Sequence, residues 1–548
     1  MPRKIETLLT GIRKWFDINI LAIAREFQIS FLPPLMVYVA AGISPLTAIV
    51  GSFYVKERLG LSAEFLAALG FWAMLPWALK MPIGHLVDLL WKIKSAFVYL
   101  GALMIATSLI IMIALLGYTQ EMTAIASAEI WFITSSLLAP VGYVLQDVVA
   151  DAMTVEAVPR FDREGLEIDE ATIRSMHTTM QLLGRLAIIV GGMLVAMLNV
   201  IMMDGVSALP EAGKLEAYLS IYQIALVIPI SSVIGVLLSA IIRRKKIKAL
   251  LRSGKSKDDA LSLVEFKTEK TDVNWWILGG GLAFAILSVS VGVADVPAAQ
   301  EIIFVISSAI ILFLMSMLMK ELSEESRRIL IGTAVIIFAY RMVPLPGPGT
   351  TWWAIDVLEF DQAFIAKLSL IASFLALFGM IIFRKFMAEK SIAYVIGALA
   401  IVGSLLMLPD IAMFYGFHHW TANATNGIVD QRFIAVIDTA MESPLGQIAM
   451  VPMLAWIANS APTKLKATFF AVMASFSNLA LSAAQLGTKY LNKIYTVSRE
   501  VKDSASGLVS TPADYSEVGA LLITVAIIAI SLPLASIAFV RFMRMKSA

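Results

Sequence analysis

The stretch Tyr143-Val144-Leu145-Gln146-Asp147-Val148-Val149-Ala150-Asp151-Ala152-Met153-Thr154-Val155-Glu156 decides how this chain is read. It closes an apolar run that begins near Ala128 and is long enough to span a bilayer. Asp147 and Asp151, at i and i+4, stack on one face of such a helix. A carboxylate at the centre of a membrane costs about 2.5–3.5 kcal/mol on insertion scales. Two so close together require a compensating site nearby.

The surrounding chain fits that reading. Of its 548 residues, 59% are hydrophobic and only 15% charged, with a mean hydropathy of +0.82. Apolar runs of about 20 residues recur, each long enough for a hydrocarbon core of about 30 Å. The fold class is an all-α polytopic membrane protein; the short alternating segments of a β-barrel are absent from the sequence. With no cysteine, disulfides and thiol chemistry are excluded. His85, His177, His418 and His419 lack metal-ligand spacing, and neither HExxH nor a P-loop occurs. No metal, cofactor or enzymatic activity is therefore expected.

Candidate spans lie at about 31–56, 62–89, 95–118, 129–152, 173–203, 217–242, 274–295, 299–320, 328–345, 363–384, 391–413, 431–459, 467–492 and 517–543, about fourteen in all. Lys92–Lys94, Arg243–Lys246, Arg327–Arg328, Arg384–Lys390, Lys464–Lys466 and Arg541–Lys546 then share one side, and the loops opposite are poor in base. That side is the cytoplasm, with both termini on it. Residues 1–30 lack a cleavable signal pattern and read as an in-plane amphipathic helix on the cytoplasmic surface. The basic run Lys245–Lys257 suits anionic lipid better than nucleic acid.

The halves look related. Ala171-Thr172 opens the fifth span, with Gly191 following; Ala467-Thr468 opens its counterpart, with Gly487 at the same offset. The span before each carries a carboxylate, Asp147 or Asp151 in one half and Asp438 in the other. This predicts two six-helix bundles, 31–242 and 321–548, joined by a cytoplasmic linker at 243–273 and an inserted helix pair at 274–320. The pair is poor in polar residues and is expected to lie against lipid. Parallel six-helix repeats place a substrate between the halves.

Several polar residues sit where lipid-facing helices carry none. Trp77, Lys80, Gly84 and Asp88 form one stripe on the second span. Lys80 is too deep for comfortable snorkelling, and Trp77, on its face, is placed to stack on a flat heterocycle. Gly84 is expected to admit a neighbouring helix closely, and Asp88 to latch one conformation by accepting hydrogen bonds from a helix terminus. Arg185 lies mid-span and Arg341 near the outer end of its span; a planar guanidinium suits an organic carboxylate. Asp438 and Glu442 form a second acidic i, i+4 pair, and Asn478 either faces the cavity or joins helices. Asp147 is the expected cavity residue, able to hold substrate or a proton, with Lys80 and Arg185 of neighbouring spans as candidate partners, and Asp151 lies nearer the cytoplasmic mouth against Arg174 or Arg185.

Trp77 to Asp88, Asp147-Val148-Val149-Ala150-Asp151-Ala152-x-x-Val155-Glu156, and the run from Ala461-Pro462 to Asn478-Leu479 together resemble the folate–biopterin transporter family of the major facilitator superfamily, from about Val37 to Ile494. Gln146-Asp147 is also similar to the related muropeptide permeases and acetyl-CoA transporters. The resemblance implies a major facilitator fold and a secondary active transporter in the inner or plasma membrane. It would move a pterin or folate-like organic anion by alternating access, with a proton as coupling ion, as a monomer. A muropeptide or acyl-CoA-type cargo, or a non-transporting receptor on the same scaffold, stands as the alternative.

Overall fold

The computed structural model describes residues 27–78, 80–159, 168–264, 273–293, 296–320, 322–383, 386, 390–445, 448, 466–502 and 509–547. Residues 1–26 of the expected surface helix lie outside these. The N-terminal half comprises α1 (Leu32–Ile43), α2 (Ala48–Arg58), α3 (Ala63–Ala78), α4 (Lys80–Leu89), α5 (Ser95–Gly117), α6 (Ala128–Ala157), α7 (Glu170–Met203), α8 (Glu211–Ala225) and α9 (Val227–Arg252). An inserted pair follows, α10 (Trp275–Val293) and α11 (Ala299–Met319). The C-terminal half comprises α12 (Glu324–Arg341), α13 (Pro348–Asp356), α14 (Gln362–Ile382), α15 (Ile392–Leu406), α16 (Leu408–Phe414), α17 (Gln431–Glu442), α18 (Lys466–Ile494) and α19 (Val518–Phe542). Between α18 and α19, β1 (Val501–Lys502) pairs antiparallel with β2 (Val509–Thr511).

Local chemistry sets the helix starts. Ser127, Asp169, Asp361 and Asp430 are N-caps whose side-chain oxygens accept the backbone N–H three residues on, satisfying a donor that the helix itself leaves unpaired. Pro33 and Pro34 open α1, where a missing N–H costs nothing.

Among the described residues, eleven helices are long and apolar enough to cross a membrane, against the fourteen expected. The stretches at 328–345, 431–459 and 467–492 hold α12, α17 and α18, which are helical but do not meet that standard; α17 is 12 residues long among the described residues. In α18 the polar groups face protein: Ser475, Ser477, Ser482, Thr488 and Asn492 are buried. Polar side chains in such helices turn into the bundle.

Small residues lock the N-terminal half. A Cβ on Gly101 would meet the Gly142 carbonyl oxygen at 2.5 Å, and one on Gly142 would meet the Gly101 oxygen at 2.6 Å, so α5 and α6 touch backbone to backbone. Gly191 packs the same way on α1, its Cβ position 2.8 Å from Gly42 Cα. Gly487 of α18 faces Pro344, just past α12, at 3.2 Å. The two glycines singled out by the repeat thus each face another segment closely, Gly191 the α1 backbone and Gly487 the proline that follows α12. Gly84, expected to be such a point, has only Val148 at 3.9 Å; the close approach belongs to Gly101 and Gly142. Gly142→Leu is expected to destabilise the protein by at least about 2 kcal/mol through overpacking. Gly279→Ala, which meets nothing within 4 Å, is the control; thermal unfolding of both in detergent checks the contrast.

The inserted pair spans the junction between the halves. On the N-terminal side, Gly281 packs on Pro82, and Gln300 Nε2 donates to the Ala68 carbonyl at 3.4 Å. On the C-terminal side, Glu301 takes Lys489 Nζ at 3.0 Å and the Tyr490 hydroxyl at 2.6 Å. Its other face is apolar and exposed, with Trp275, Trp276, Leu282, Ile286 and Val305 outermost.

Candidate functional site

Asp147 and Asp151 share one ammonium. Lys80 Nζ, at the start of α4, lies 2.6 Å from Asp147 Oδ2 and 2.7 Å from Asp151 Oδ2. The i, i+4 spacing on α6 turns both carboxylates toward α4. Gln146, on another face of α6, is held away by its own bonds, Nε2 donating to Ser232 Oγ at 2.8 Å and to the Val98 carbonyl at 3.3 Å. The Tyr38 hydroxyl of α1 donates to Asp151 Oδ1 at 2.7 Å. Three helices therefore meet in one charged cluster.

Lys80, a candidate partner of Asp147, reaches both carboxylates. Asp151 was set against Arg174 or Arg185, yet it shares Lys80 with Asp147; the Arg174 side chain lies outside the described residues. Asp151 is also the more open, its side chain 39% exposed against 17% for Asp147 and for Lys80. Val144, Val148 and Val149 bury the Asp147 turn of α6, and the same cluster continues to Met153 beyond Asp151.

Arg185 of α7 lies within electrostatic reach of Asp147, and of Arg341 at the end of α12 in the other half. Gly184 places that turn of α7 against the Tyr38 ring, which its Cβ would meet at 2.9 Å. Trp77 packs its ring beside Val87, Val98 and Val148, and its carbonyl accepts from Asn478 Nδ2 at 3.2 Å. Asn478 thus joins α18 to α3 across the halves. Asp438 is buried in α17 with Glu442 and Asp410 of α16 as its electrostatic neighbours, well apart from the Lys80 cluster in the chain's order. Asp88 has His85 within electrostatic reach and, among the described residues, accepts no bond from a helix terminus. His85 Nε2 instead accepts from the Asn274 N–H at 2.9 Å, at the foot of the inserted pair.

A second cross-half cluster closes the end of the bundle where α2 stops and α3 begins. Arg499, 3% exposed, donates through Nη1 to the carbonyls of Val55 and Lys56 and through Nη2 to that of Leu61 at 3.5 Å. These are carbonyls at and just beyond the α2 terminus, where the helix dipole favours a cation; that of Val55 also accepts the Leu59 N–H at 3.2 Å. The guanidinium also lies 5.0 Å from the Trp352 ring of α13. Burial draws its pKa down to about 10, still charged at neutral pH. Beside it Lys56 pairs with Asp356, which also accepts from the Tyr515 hydroxyl. Gln362 Nε2 of α14 donates to the Tyr218 hydroxyl of α8 at 2.9 Å. Sequence reading missed Tyr38, Lys56, Trp352 and Arg499. The available signal for Lys56 and Arg499 was a cation on the side of the chain where bases are scarce.

The BT1 family model matches residues 41–545, nearly the whole chain. The chain belongs to the BT1 family. A "Folate-biopterin transporter" from Synechocystis sp. is 22% identical over 450 residues, which is 81% of this BT1 member and 71% of that protein. A POT family transporter in complex with a thioalcohol-conjugated peptide superposes with a TM-score of 0.59 at 11% identity, covering 94% of this chain and 96% of that one. A POT family transporter in complex with 5-aminolevulinic acid gives 0.58 at 13% identity over the same shares. At such identities the two solved structures speak to fold alone. This BT1 member is a multi-pass membrane transporter with the major facilitator fold, as its resemblance to folate–biopterin transporters implies.

Proposed function

We propose that this transporter moves a pterin or folate-like organic anion across the cell membrane by alternating access, coupled to protons. The observation that carries the reading is Lys80 held between Asp147 and Asp151 in the middle of the N-terminal half. One ammonium cannot neutralise two carboxylates, so the cluster has room for a proton or for a cationic group. A proton arriving at either carboxylate loosens Lys80, and Lys80 is then available to a substrate carboxylate. Arg185 and Arg341 approach one another from opposite halves, and an anion between them relieves their repulsion. An anion so placed draws the halves together, which is the movement a rocking mechanism needs.

In this reading Asp147 and Asp151 couple protons, Lys80 and Arg185 exchange between them and the cargo, and Arg341 supplies the cation of the second half. Trp77 and Asn478 form the joint on which the halves pivot, Asp438 serves the C-terminal half, and Gly84 with Asp88 forms the inner latch. The Arg499 and Lys56 contacts form the outer seal. The bundles run over 31–242 and 321–548, with 243–273 as linker and 274–320 as the added pair. Both termini face the cytoplasm, the side of the Lys/Arg-rich loops, and the monomer is the working unit. The folate–biopterin name of the Synechocystis relative supports the cargo class.

Proteoliposomes test this directly. Labelled biopterin and folate are expected to accumulate when an inward-directed proton gradient is imposed, and to fall to equilibration when a protonophore dissipates it. Accumulation unaffected by the gradient removes proton coupling; no uptake of either compound removes the cargo assignment.

A further inference from the structure

On the N-terminal side of the outer seal lies a cavity of about 350 Å³. Its walls come from both halves: α2, α5, α6 and α8 on one side, and Pro348, Thr351 and Trp352 at α13 on the other. The lining is uncharged. Thr47, Ser136 and Thr351 present hydroxyls, Tyr143, Tyr222 and Trp352 present aromatic surface, and no Asp, Glu, Lys, Arg or His reaches it. Tyr143 sits on α6 one helical turn from Asp147, so the cavity and the charged cluster are neighbours along a single helix.

Three physical arguments fix what fits. A charged group entering a cavity without a counter-ion pays a large desolvation penalty, so the occupant is uncharged where it sits. Serine, threonine and tyrosine hydroxyls donate and accept alike, which suits a ring edge that alternates N–H, C=O and bare nitrogen. Aromatic side chains favour a flat partner. The volume falls near the lower end of the range for small-molecule sites, about 300–1,000 Å³. It admits one bicyclic ring but not a whole muropeptide or acyl-CoA.

We propose that this cavity seats the flat, uncharged heterocycle of the cargo, leaving its charged end to the Lys80, Asp147 and Asp151 cluster one turn inward. The proposal rests on the pterin or folate reading above and divides that cargo between two subsites. It also gives the outer seal a sensor: Trp352 lines the cavity on one side and faces the Arg499 guanidinium on the other.

The test uses the purified full-length chain in nanodiscs with two probes: biopterin, the ring without the acidic tail, and p-aminobenzoylglutamate, the tail without the ring. Ser136→Leu fills the cavity and is expected to weaken biopterin at least about tenfold, with p-aminobenzoylglutamate changed less than about twofold. Trp352→Phe keeps the shape while removing the indole. It is expected to lose the part of the biopterin-induced tryptophan quenching that wild type shows, even if Ser136→Leu folds poorly. If wild type binds both probes and both variants match it, the cavity assignment falls while the cargo reading stands. If wild type binds no pterin, the cargo reading falls and this assignment falls with it.

Discussion

Lys80→Met is expected to abolish accumulation of cargo in proteoliposomes and to destabilise the protein by about 3–5 kcal/mol, the usual cost of stranding a buried charge. The geometry sets that size. Two carboxylate oxygens lie 2.6 and 2.7 Å from Lys80 Nζ, so methionine leaves both around an uncharged chain of similar volume. Asp147 carries most of the loss because it and Lys80 are each 17% exposed. Asp151, at 39%, is screened by water and contributes less. A second variant separates folding from function. Lys80→Met with Asp147→Asn and Asp151→Asn is neutral and nearly isosteric, and such replacements of a whole buried ionic group are often tolerated. It is expected to recover most of the stability in chemical unfolding and none of the gradient-driven uptake. Wild-type stability and uptake in the single variant would overturn the place given to Lys80.

How much of this was legible depends on which physical signal each residue sends. Asp147, Asp151 and Lys80 stand out because charge in an apolar run is costly, and that cost is a property of the residue itself. Lys80 could be named as a partner of Asp147 on charge alone. That the same ammonium also reaches Asp151 was not legible, because the chain between them says nothing of which α4 face meets α6, and Asp151 was set against Arg174 or Arg185 instead. The fold was read from apolar length, a signal that is weaker at α18, whose Ser475, Ser477, Ser482, Thr488 and Asn492 are buried in protein. Gly84 shows a further limit: a glycine on a helix permits close packing, but whether a neighbour arrives depends on tertiary arrangement, as at Gly101 and Gly142. Tyr38 sends almost no signal, since a tyrosine in an apolar run costs little until its hydroxyl is fully buried.

Arg499→Ala is expected to open the outer end of the transporter. Alanine removes the donors to the Val55, Lys56 and Leu61 carbonyls and the contact with the Trp352 ring, all of them between the C-terminal chain and its surroundings at the seal. Hydrogen bonds to a charged group contribute about 1.5–3 kcal/mol each. Losing even one shifts the balance between sealed and open states by roughly ten- to a hundredfold, since about 1.4 kcal/mol is tenfold. The Lys56 and Asp356 pair remains and sets a floor, so the shift is toward opening rather than complete. The chain has no cysteine, which makes a single reporter free of background. Ser135→Cys, on the cavity wall and buried, should react slowly with an impermeant maleimide added outside. With Arg499→Ala the rate should rise at least about tenfold. Arg499→Lys keeps the charge but not the planar fork that reaches several carbonyls and lies against an indole, so it should fall between the two. Equal labelling in all three would mean that the contacts around Arg499 do not hold the seal, and that Lys56, Asp356 and the Gln362 to Tyr218 bond close this end without it.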